Sequence, residues 1–231
     1  MDSQYTDILN LANEAIQRTK AILKFGSGNI IEDILRSESQ SLGRSDYARE
    51  LYQEAAGKHL TEIEKTFLRA AASKLAQGGN CHESASLVFA DLMENTNNLK
   101  IQICRQKMLE NVQDFHVFVQ IVSDIHPTII VDEWGSNRKA VVATEYNINK
   151  NKILIICEAT TLNSNELISH SESVIKETTC YKDKERRIKR CRGNLRKIFK
   201  TNDNLQYLAE DKYIGKRMKR AYNDPGLIYL S

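Results

Sequence analysis

The spacing of apolar residues changes twice along this chain, and this change constrains the fold more than any other feature of the sequence. Apolar residues recur at helical spacing over much of residues 6–94, group into short β-branched runs between residues 99 and 160, and return to helical spacing from about residue 165. Helices and strands that are segregated in this way predict an α+β fold with an antiparallel sheet, rather than alternating α/β units.

The element boundaries follow from capping and turn residues. Thr61 and Glu64 have the spacing of a capping box, and Gly78-Gly79 is a natural stop for the helix that they begin. The pattern predicts helices over residues 6–24, 45–57, 60–77 and 81–94, and strands over residues 99–104, 115–122, 127–134 and 152–160. We divide the chain into an N-terminal helical part (1–60), a central core (61–164) and a basic helical C-terminal extension (165–231).

The net positive charge of the chain is concentrated in the C-terminal extension. Between Lys182 and Arg220 there are 15 Lys and Arg residues against 5 Asp and Glu, so the remainder of the chain carries −7 although the whole chain carries +3. A basic arm of this kind suits an acidic protein surface or an anionic membrane, whereas the few aromatic residues among its charges argue against nucleic acid. The candidate contact residues are Arg186, Arg187, Lys189 and Arg190. The alternative is a plain solvated helix face.

The five cysteines do not read as a disulfide framework or as a zinc motif, because their spacing is irregular and no CxxC pair occurs. We therefore expect reduced thiols and a cytosolic site of action. The first residues also lack the basic and apolar segments of a secretory signal. No nucleotide-binding fingerprint is present, and we expect neither a metal nor an organic cofactor.

One cysteine lies where a helix begins. In the stretch QGGNCHESA, Asn80 suits an N-cap, Glu83 stands at the position of a reciprocal cap, and Cys81 is then the first helical residue. The positive end of the helix dipole favours a thiolate there, and the free N–H groups of the first turn face a developing oxyanion. This arrangement indicates a nucleophile.

The residues around this cysteine have candidate supporting roles. The side-chain amides of Gln77 and Asn80 are possible further donors to the oxyanion, although Asn80 is also simply a cap. Gly78 and Gly79 are expected to leave room beside the sulfur for a substrate chain. Glu83 is expected to be structural.

A thiolate nucleophile needs a base, and His116 is the best candidate because it lies at the start of the predicted strand FHVFVQIV. An antiparallel hairpin that turns around Asp124 places Asp132 directly opposite His116, with Cβ atoms about 5 Å apart. Asp132 would then orient the imidazole and stabilise its charged form. A register slip would break this pairing and make Asp114 or Glu133 the carboxylate instead.

Three motifs occur in order along the chain: GNCHE at 79–83, DFHVFV at 114–119 and IVDEW at 130–134. Together they resemble the papain-like thiol enzyme superfamily, in the branch of compact bacterial effectors and toxin domains. The resemblance covers residues 78–134. Two departures are Phe115, which separates Asp114 from His116, and Glu133, which stands where many members have proline.

The resemblance implies that residues 61–164 form a papain-like catalytic core, with Cys81 as nucleophile, His116 as general base and acid, and Asp132 as the orienting carboxylate. It further implies a cysteine-dependent amide hydrolase or acyl transferase that acts on a protein of a host cell, delivered by a bacterial secretion system without a cleaved signal. The resemblance alone favours glutamine deamidation. Peptide-bond cleavage by a cysteine protease and transglutaminase-like amine transfer both stay open.

Each of these residues also has a structural interpretation. Cys81 would be a small buried apolar residue, His116 a strand-edge histidine satisfied by hydrogen bonds, and Asp132 a turn residue. Trp134 is expected to pack in the core rather than to stack on a substrate. On this interpretation the protein is a non-catalytic binding module that works through its basic arm.

Overall fold

A computed structural model of the chain describes residues 3–37, 40–96, 98–107, 115–134, 138–146, 153–160 and 164–193. Within these ranges the first elements are helices: α1 (Ser3–Ile22), α2 (Ile31–Arg36), α3 (Gln40–Ala55), α4 (Glu62–Ala76) and α5 (Cys81–Asn95). The strands follow: β1 (Lys100–Lys107), β2 (Phe115–Val122), β3 (Ile129–Val131), β4 (Ala140–Val142) and β5 (Ile153–Ala159). The last elements are again helices: α6 (Ser164–Glu177), α7 (Thr179–Lys182) and α8 (Lys184–Gly193). The predicted α+β class is confirmed, and none of the described helices is both long and apolar enough to cross a membrane.

The described strands form one antiparallel sheet in the order β4-β3-β2-β1-β5. One face packs against α1 and α5 and carries most of the core. Its buried side chains are Ile101, Ile103, Val117, Val119, Ile121, Ile129 and Val131. The opposite face carries a smaller apolar cluster of Cys104, Phe118, Ile130 and Val141. Because side chains alternate between the two faces of a strand, His116 lies on the same face of β2 as Phe118.

Helix α5 is the central element of the molecule, because it contacts α1, α4, α6 and the two middle strands β1 and β2. Every side chain from Glu83 to Ala90 is buried, and small residues such as Ala85 and Ser86 let the neighbouring elements approach closely. Full burial of large residues such as Leu87 and Phe89 stabilises the fold by about 1.5–3 kcal/mol each. The start of α5 is therefore held firmly relative to the sheet.

Helix α4 begins and ends as its sequence predicts. The Thr61 hydroxyl accepts from the Glu64 N–H at 3.2 Å, and the Glu64 carboxylate accepts from the Thr61 N–H at 2.8 Å, which closes the predicted capping box. The helix ends at Gln77, whose backbone is left-handed (φ 59°, ψ 36°) and whose N–H is bonded to the Ser73 carbonyl at 2.7 Å. A short chain of three residues then leads into α5.

The C-terminal helices pack on the N-terminal ones. Helix α6 contacts α4, and α8 contacts α3. The second apolar cluster of the protein joins them, and its largest members are Tyr47, Leu51, Leu68, Ile175 and Ile188. Residues 164–193 therefore share a core with residues 40–76 and do not project as a free arm.

Two short elements were not foreseen. Helix α2 has only six residues and β4 only three, and segments of that length show no periodicity that could reveal them. Strand β3 spans Ile129–Val131 rather than the predicted 127–134. All three of its side chains are buried, so its sequence shows no alternation of apolar and polar residues from which its ends could be read.

Gly78 and Gly79 have a packing role in the structure. A Cβ on Gly78 would lie 2.6 Å from Cβ of Arg44, and one on Gly79 would lie 2.4 Å from Cβ of Glu83. These glycines are needed because α3 and the first turn of α5 pack directly on their backbone. That they also leave room for a substrate chain stays a prediction.

The close packing at Gly78 gives a stability prediction. The variant Gly78→Ala should unfold at lower denaturant concentration, with a loss of about 1–3 kcal/mol, because the added methyl group meets Arg44 and the backbone of Ser45. Gly57→Ala is the matched control, since a Cβ there meets nothing within 4 Å. Equal unfolding midpoints for the two variants would contradict the packing argument.

Candidate active site

Cys81 is the first residue of α5, as predicted, and its side chain is half-buried beside the start of β2. Its Sγ lies 3.9 Å from the carbonyl oxygen of Phe115. Asn80 occupies the N-cap position with an extended backbone, and its N–H donates to the Glu83 carboxylate at 2.8 Å. The helix therefore begins directly at the cysteine, with the N–H groups of its first turn unpaired by helix bonds.

His116 and Asp132 are joined by a buried hydrogen bond. Nε2 of His116 lies 2.8 Å from Oδ2 of Asp132, and the two residues are only 5% and 3% exposed. The predicted ladder register is wrong, however, since Val119 pairs with Val131 and the hairpin is therefore centred on Ile125 rather than on Asp124. When this register is extended one residue beyond β3, Asp132 lies diagonal to His116 rather than directly opposite it.

The diagonal placement still brings the two groups together. A register error of two residues keeps a side chain on the same face of the sheet, whereas an error of one residue moves it to the other face. The cause of the shift lies in the turn, where the Ser123 hydroxyl accepts from the N–H groups of Ile125 and His126 at 3.3 and 3.2 Å.

The imidazole of His116 also interacts with the thiol of Cys81. Its second ring nitrogen, Nδ1, is buried and makes no hydrogen bond within the described residues. Burial disfavours the charged imidazole, but the hydrogen bonds and negative charges of Asp132 and Cys81 outweigh it and raise the pKa of His116 to about 9. The imidazole is therefore charged at neutral pH, held between a carboxylate and a thiol.

Aromatic rings fix the plane of this imidazole. The ring of Trp134 lies 5.0 Å from the His116 ring, and that of Phe118 lies 5.9 Å away on the sheet. The expectation that Trp134 packs in the core is wrong, because it is half-exposed and covers the histidine. Its Nε1 donates to Oδ1 of Asn29 at 3.1 Å, which anchors the indole to the segment that follows α1.

Tyr146 is a site residue that the sequence analysis missed. Its hydroxyl donates to Oδ2 of Asp132, and its ring lies 5.8 Å from that of Phe118. Burial and the charge of Asp132 raise the pKa of Tyr146, so the hydroxyl keeps its proton and remains a donor. Asp132 also accepts from the Trp134 N–H at 3.2 Å and is thereby held by three donors. No local motif around Tyr146 signals this role, since it depends on how the chain returns after β4.

The two predicted oxyanion donors, Asn80 and Gln77, differ in their hydrogen bonding. Oδ1 of Asn80 accepts from the Gly28 N–H at 3.0 Å, which leaves its NH₂ group as a donor next to Cys81. Gln77 is the half-buried C-cap of α4, and its side chain makes no hydrogen bond to any described residue. Glu83 is bonded to the backbone of Asn80, as expected of a structural cap.

The alternative carboxylates do not reach the imidazole in the described part of the chain. Glu133 accepts from the Ser84 hydroxyl at 2.6 Å, and burial raises the pKa of its carboxyl. Asp114 lies outside the described residues. Asp132 is thus the carboxylate bonded to His116.

The remaining described thiols are buried and distinct from Cys81. Burial raises the pKa of Cys104 to about 12 and that of Cys180 to about 11, and it also raises the pKa of Cys157. The side chain of Cys191 lies outside the described residues. Cys81 is the one described cysteine that is not fully buried.

The candidate basic surface is divided by the packing of α8. Arg186 is 85% exposed, and Lys189 is exposed. Arg187, in contrast, pairs with Glu50 of α3 at 3.1 Å and helps to hold the helix in place. The side chain of Arg190 lies outside the described residues.

No protein-family model, no curated protein and no solved structure matches the chain. Within the described ranges, no group of three or more His, Cys, Asp or Glu side chains is arranged to hold a metal ion. The resemblance to papain-like enzymes therefore rests on the three sequence motifs alone.

The raised pKa of His116 predicts a pH-dependent stability. Its folded-state pKa of about 9 exceeds the unfolded value of about 6.5, so the charged form contributes stability that is complete below about pH 6.5 and is lost as the pH rises through about 9. Asp132→Asn should therefore lower the free energy of unfolding more at pH 6 than at pH 10.

Chemical denaturation across this pH range measures the effect. Asp124→Asn is the matched control, because Asp124 is exposed in the turn of the same hairpin. A loss of stability in Asp132→Asn that is the same at both pH values would show that its carboxylate does not hold the charge of His116.

The hydrogen bond from Tyr146 predicts a second effect on stability. Tyr146→Phe should lower the free energy of unfolding by about 1–3 kcal/mol, because the buried Asp132 carboxylate loses a donor. Tyr181→Phe is the control, since the Tyr181 hydroxyl makes no hydrogen bond to any described residue. Equal denaturation midpoints for these two variants would argue against the bond.

Proposed function

We propose that this protein is a cysteine-dependent amide hydrolase or acyl transferase that acts on a protein substrate. The observation that carries the proposal is the placement of His116, whose Nε2 is bonded to Asp132, whose ring interacts with the Cys81 thiol, and whose Nδ1 is buried without a hydrogen bond to any described residue. A buried ring nitrogen without a partner is rare in a protein that uses it only for stability. It is expected where the ring must take and return a proton.

The charge state of the site suits a thiolate nucleophile. The charged imidazole of His116 and the N-terminal end of α5 are the two positive groups that a sulfur nucleophile at Cys81 would use. Asp132 does not need to move a proton. It holds the ring orientation and stabilises the imidazolium, and its other two donors fix it in turn.

The first half of the reaction forms a thioester. The Cys81 sulfur attacks the carbonyl carbon of a carboxamide or peptide bond, and an S–C bond forms while the carbonyl oxygen becomes an oxyanion. The N–H groups of the first turn of α5 and the free NH₂ of Asn80 are the donors available to that oxyanion. His116 gives its proton to the departing nitrogen, and the C–N bond breaks to release ammonia or an amine.

The second half of the reaction regenerates the cysteine. His116, now neutral, takes a proton from water or from an acceptor amine that attacks the thioester. The C–S bond breaks, the product leaves as a carboxylic acid or a new amide, and the thiolate–imidazolium pair is restored. No cofactor enters this cycle.

The nature of the leaving group separates three reactions of this one site. By the resemblance we propose a glutamine side chain of a host-cell protein as the target, which would make the protein a deamidase that releases ammonia. A cysteine protease would release a peptide amine instead, and a transglutaminase would transfer the acyl group to an amine.

A comparison of target masses tests the proposal. Wild-type protein and the Cys81→Ala variant are incubated with cell lysate, and the lysate proteins are compared by mass spectrometry. Deamidation adds about 1 Da to a target and releases ammonia, proteolysis gives fragments, and amine transfer gives an adduct. Each of these should depend on Cys81.

The control for this comparison is Cys104→Ala, which removes a buried thiol from the apolar cluster on the sheet face that points away from α5. It should retain the modification if the variant folds. Identical lysate masses with wild-type protein and with Cys81→Ala would contradict the enzyme and would favour a binding module that uses the exposed cations of α8.

A further inference from the structure

Two arginines border the first turn of α5, on the side of His82. Nη1 of Arg69 lies 3.0 Å from Nε2 of His82, and its guanidinium stacks over Tyr52 at 4.4 Å from the ring centroid. Arg105 of β1 stacks over Phe115 at 3.5 Å from the ring centroid. Both arginines are half-buried.

These two cations contact residues that adjoin the candidate nucleophile. His82 follows Cys81 directly in the first turn of α5, and Phe115, on which Arg105 stacks, places its carbonyl oxygen 3.9 Å from the Cys81 sulfur. Both guanidinium groups act electrostatically on His82, so they border the same end of α5 as Cys81.

The described residues supply no counter-charge to these two arginines. Neither Arg69 nor Arg105 forms an ion pair with a carboxylate among the described residues. Most of the other described arginines do form such pairs; for example, Arg18 binds Asp91 and Arg187 binds Glu50. Two half-buried cations without a counter-charge are costly, and an anion that binds between them would remove that cost.

His82 adds no charge of its own. Burial, together with the neighbouring Arg69 and Arg105, lowers the pKa of His82 to about 3, so the ring is neutral and Nε2 accepts the hydrogen bond from Arg69. The imidazole thus orients one guanidinium, as Phe115 and Tyr52 orient them by stacking. Arginines that are held in this way are suited to bind a carboxylate with little loss of side-chain entropy.

We propose that Arg69 and Arg105 form an anion-binding subsite that holds an acidic side chain of the protein substrate next to the carboxamide attacked by Cys81. This inference rests on the proposed function and specifies its substrate class. The enzyme would select target sites that carry an Asp or Glu near the modified residue, because a neutral neighbour would leave both guanidinium groups unpaired.

The subsite is tested by alkylation of Cys81 with two reagents that differ in charge. Iodoacetate carries a carboxylate and iodoacetamide is neutral, and in both cases the thiolate forms an S–C bond and iodide leaves. The rates are measured at neutral pH and low salt by mass spectrometry of the Cys81 peptide, in a Cys191→Ser background. The ratio of the iodoacetate rate to the iodoacetamide rate reports the attraction of the site for an anion.

The expected result is a fall of about tenfold in this ratio in the Arg69→Gln/Arg105→Gln variant, and any change in the reactivity of the thiolate itself cancels because the same sulfur reacts with both reagents. His116 is present in every variant, so its own attraction for iodoacetate cancels in the comparison. Arg186→Gln, which removes an exposed arginine of α8, should leave the ratio unchanged. Arg105→Lys keeps the charge and should keep most of the ratio, which separates loss of charge from loss of packing if the double variant is unstable.

The outcomes separate the two proposals. An unchanged ratio in folded Arg69→Gln, Arg105→Gln and double variants, with Cys81 still reactive, would overturn the anion subsite and leave the proposed enzyme standing. Iodoacetamide labelling of Cys81 in the wild-type protein that is no faster than that of buried Cys104 would instead overturn the activated nucleophile itself.

Discussion

The burial of α5 on nearly all sides is the constraint on which the rest of the structure depends. The helix is enclosed by α1, α4, α6 and the two middle strands, so its axis cannot turn or slide without opening the main core. Its first residue is consequently fixed against the start of β2. This fixed junction brings a cysteine from a helix next to a histidine from a strand.

The chemistry of the site follows from that junction by ordinary electrostatics. A buried charged imidazole is costly, and here Asp132 on one side and Cys81 on the other offset the cost. Asp132 in turn is a buried carboxylate that needs donors, and Tyr146, the Trp134 N–H and His116 supply them. His116 and Asp132 thus have hydrogen-bond partners at every buried polar atom that the structure describes here except Nδ1 of His116.

The parts of this site that local rules determine could be predicted from the sequence, and the others could not. The helix start at Cys81 follows from Asn80 and Glu83, and the face parity of β2 and β3 follows from alternation. The register did not follow, because a hydroxyl in the turn moved the hairpin centre by one residue. Tyr146 did not follow either, because it reaches Asp132 from the turn after β4. The two arginines next to His82 come from α4 and β1, and only tertiary packing brings them there. The packing reason for Gly78 did not follow from the sequence, because Arg44 reaches it from α3.

The segment after α1 has a consequence for how this molecule can be divided. The backbone N–H of Gly28 binds the side chain of Asn80, and the side chain of Asn29 binds the indole of Trp134. A fragment that begins at residue 61 would retain Cys81, His116 and Asp132 but would lose both of these hydrogen bonds. The N-terminal helices therefore support the candidate site from two directions, and the chain cannot be cut at residue 61 without removing that support.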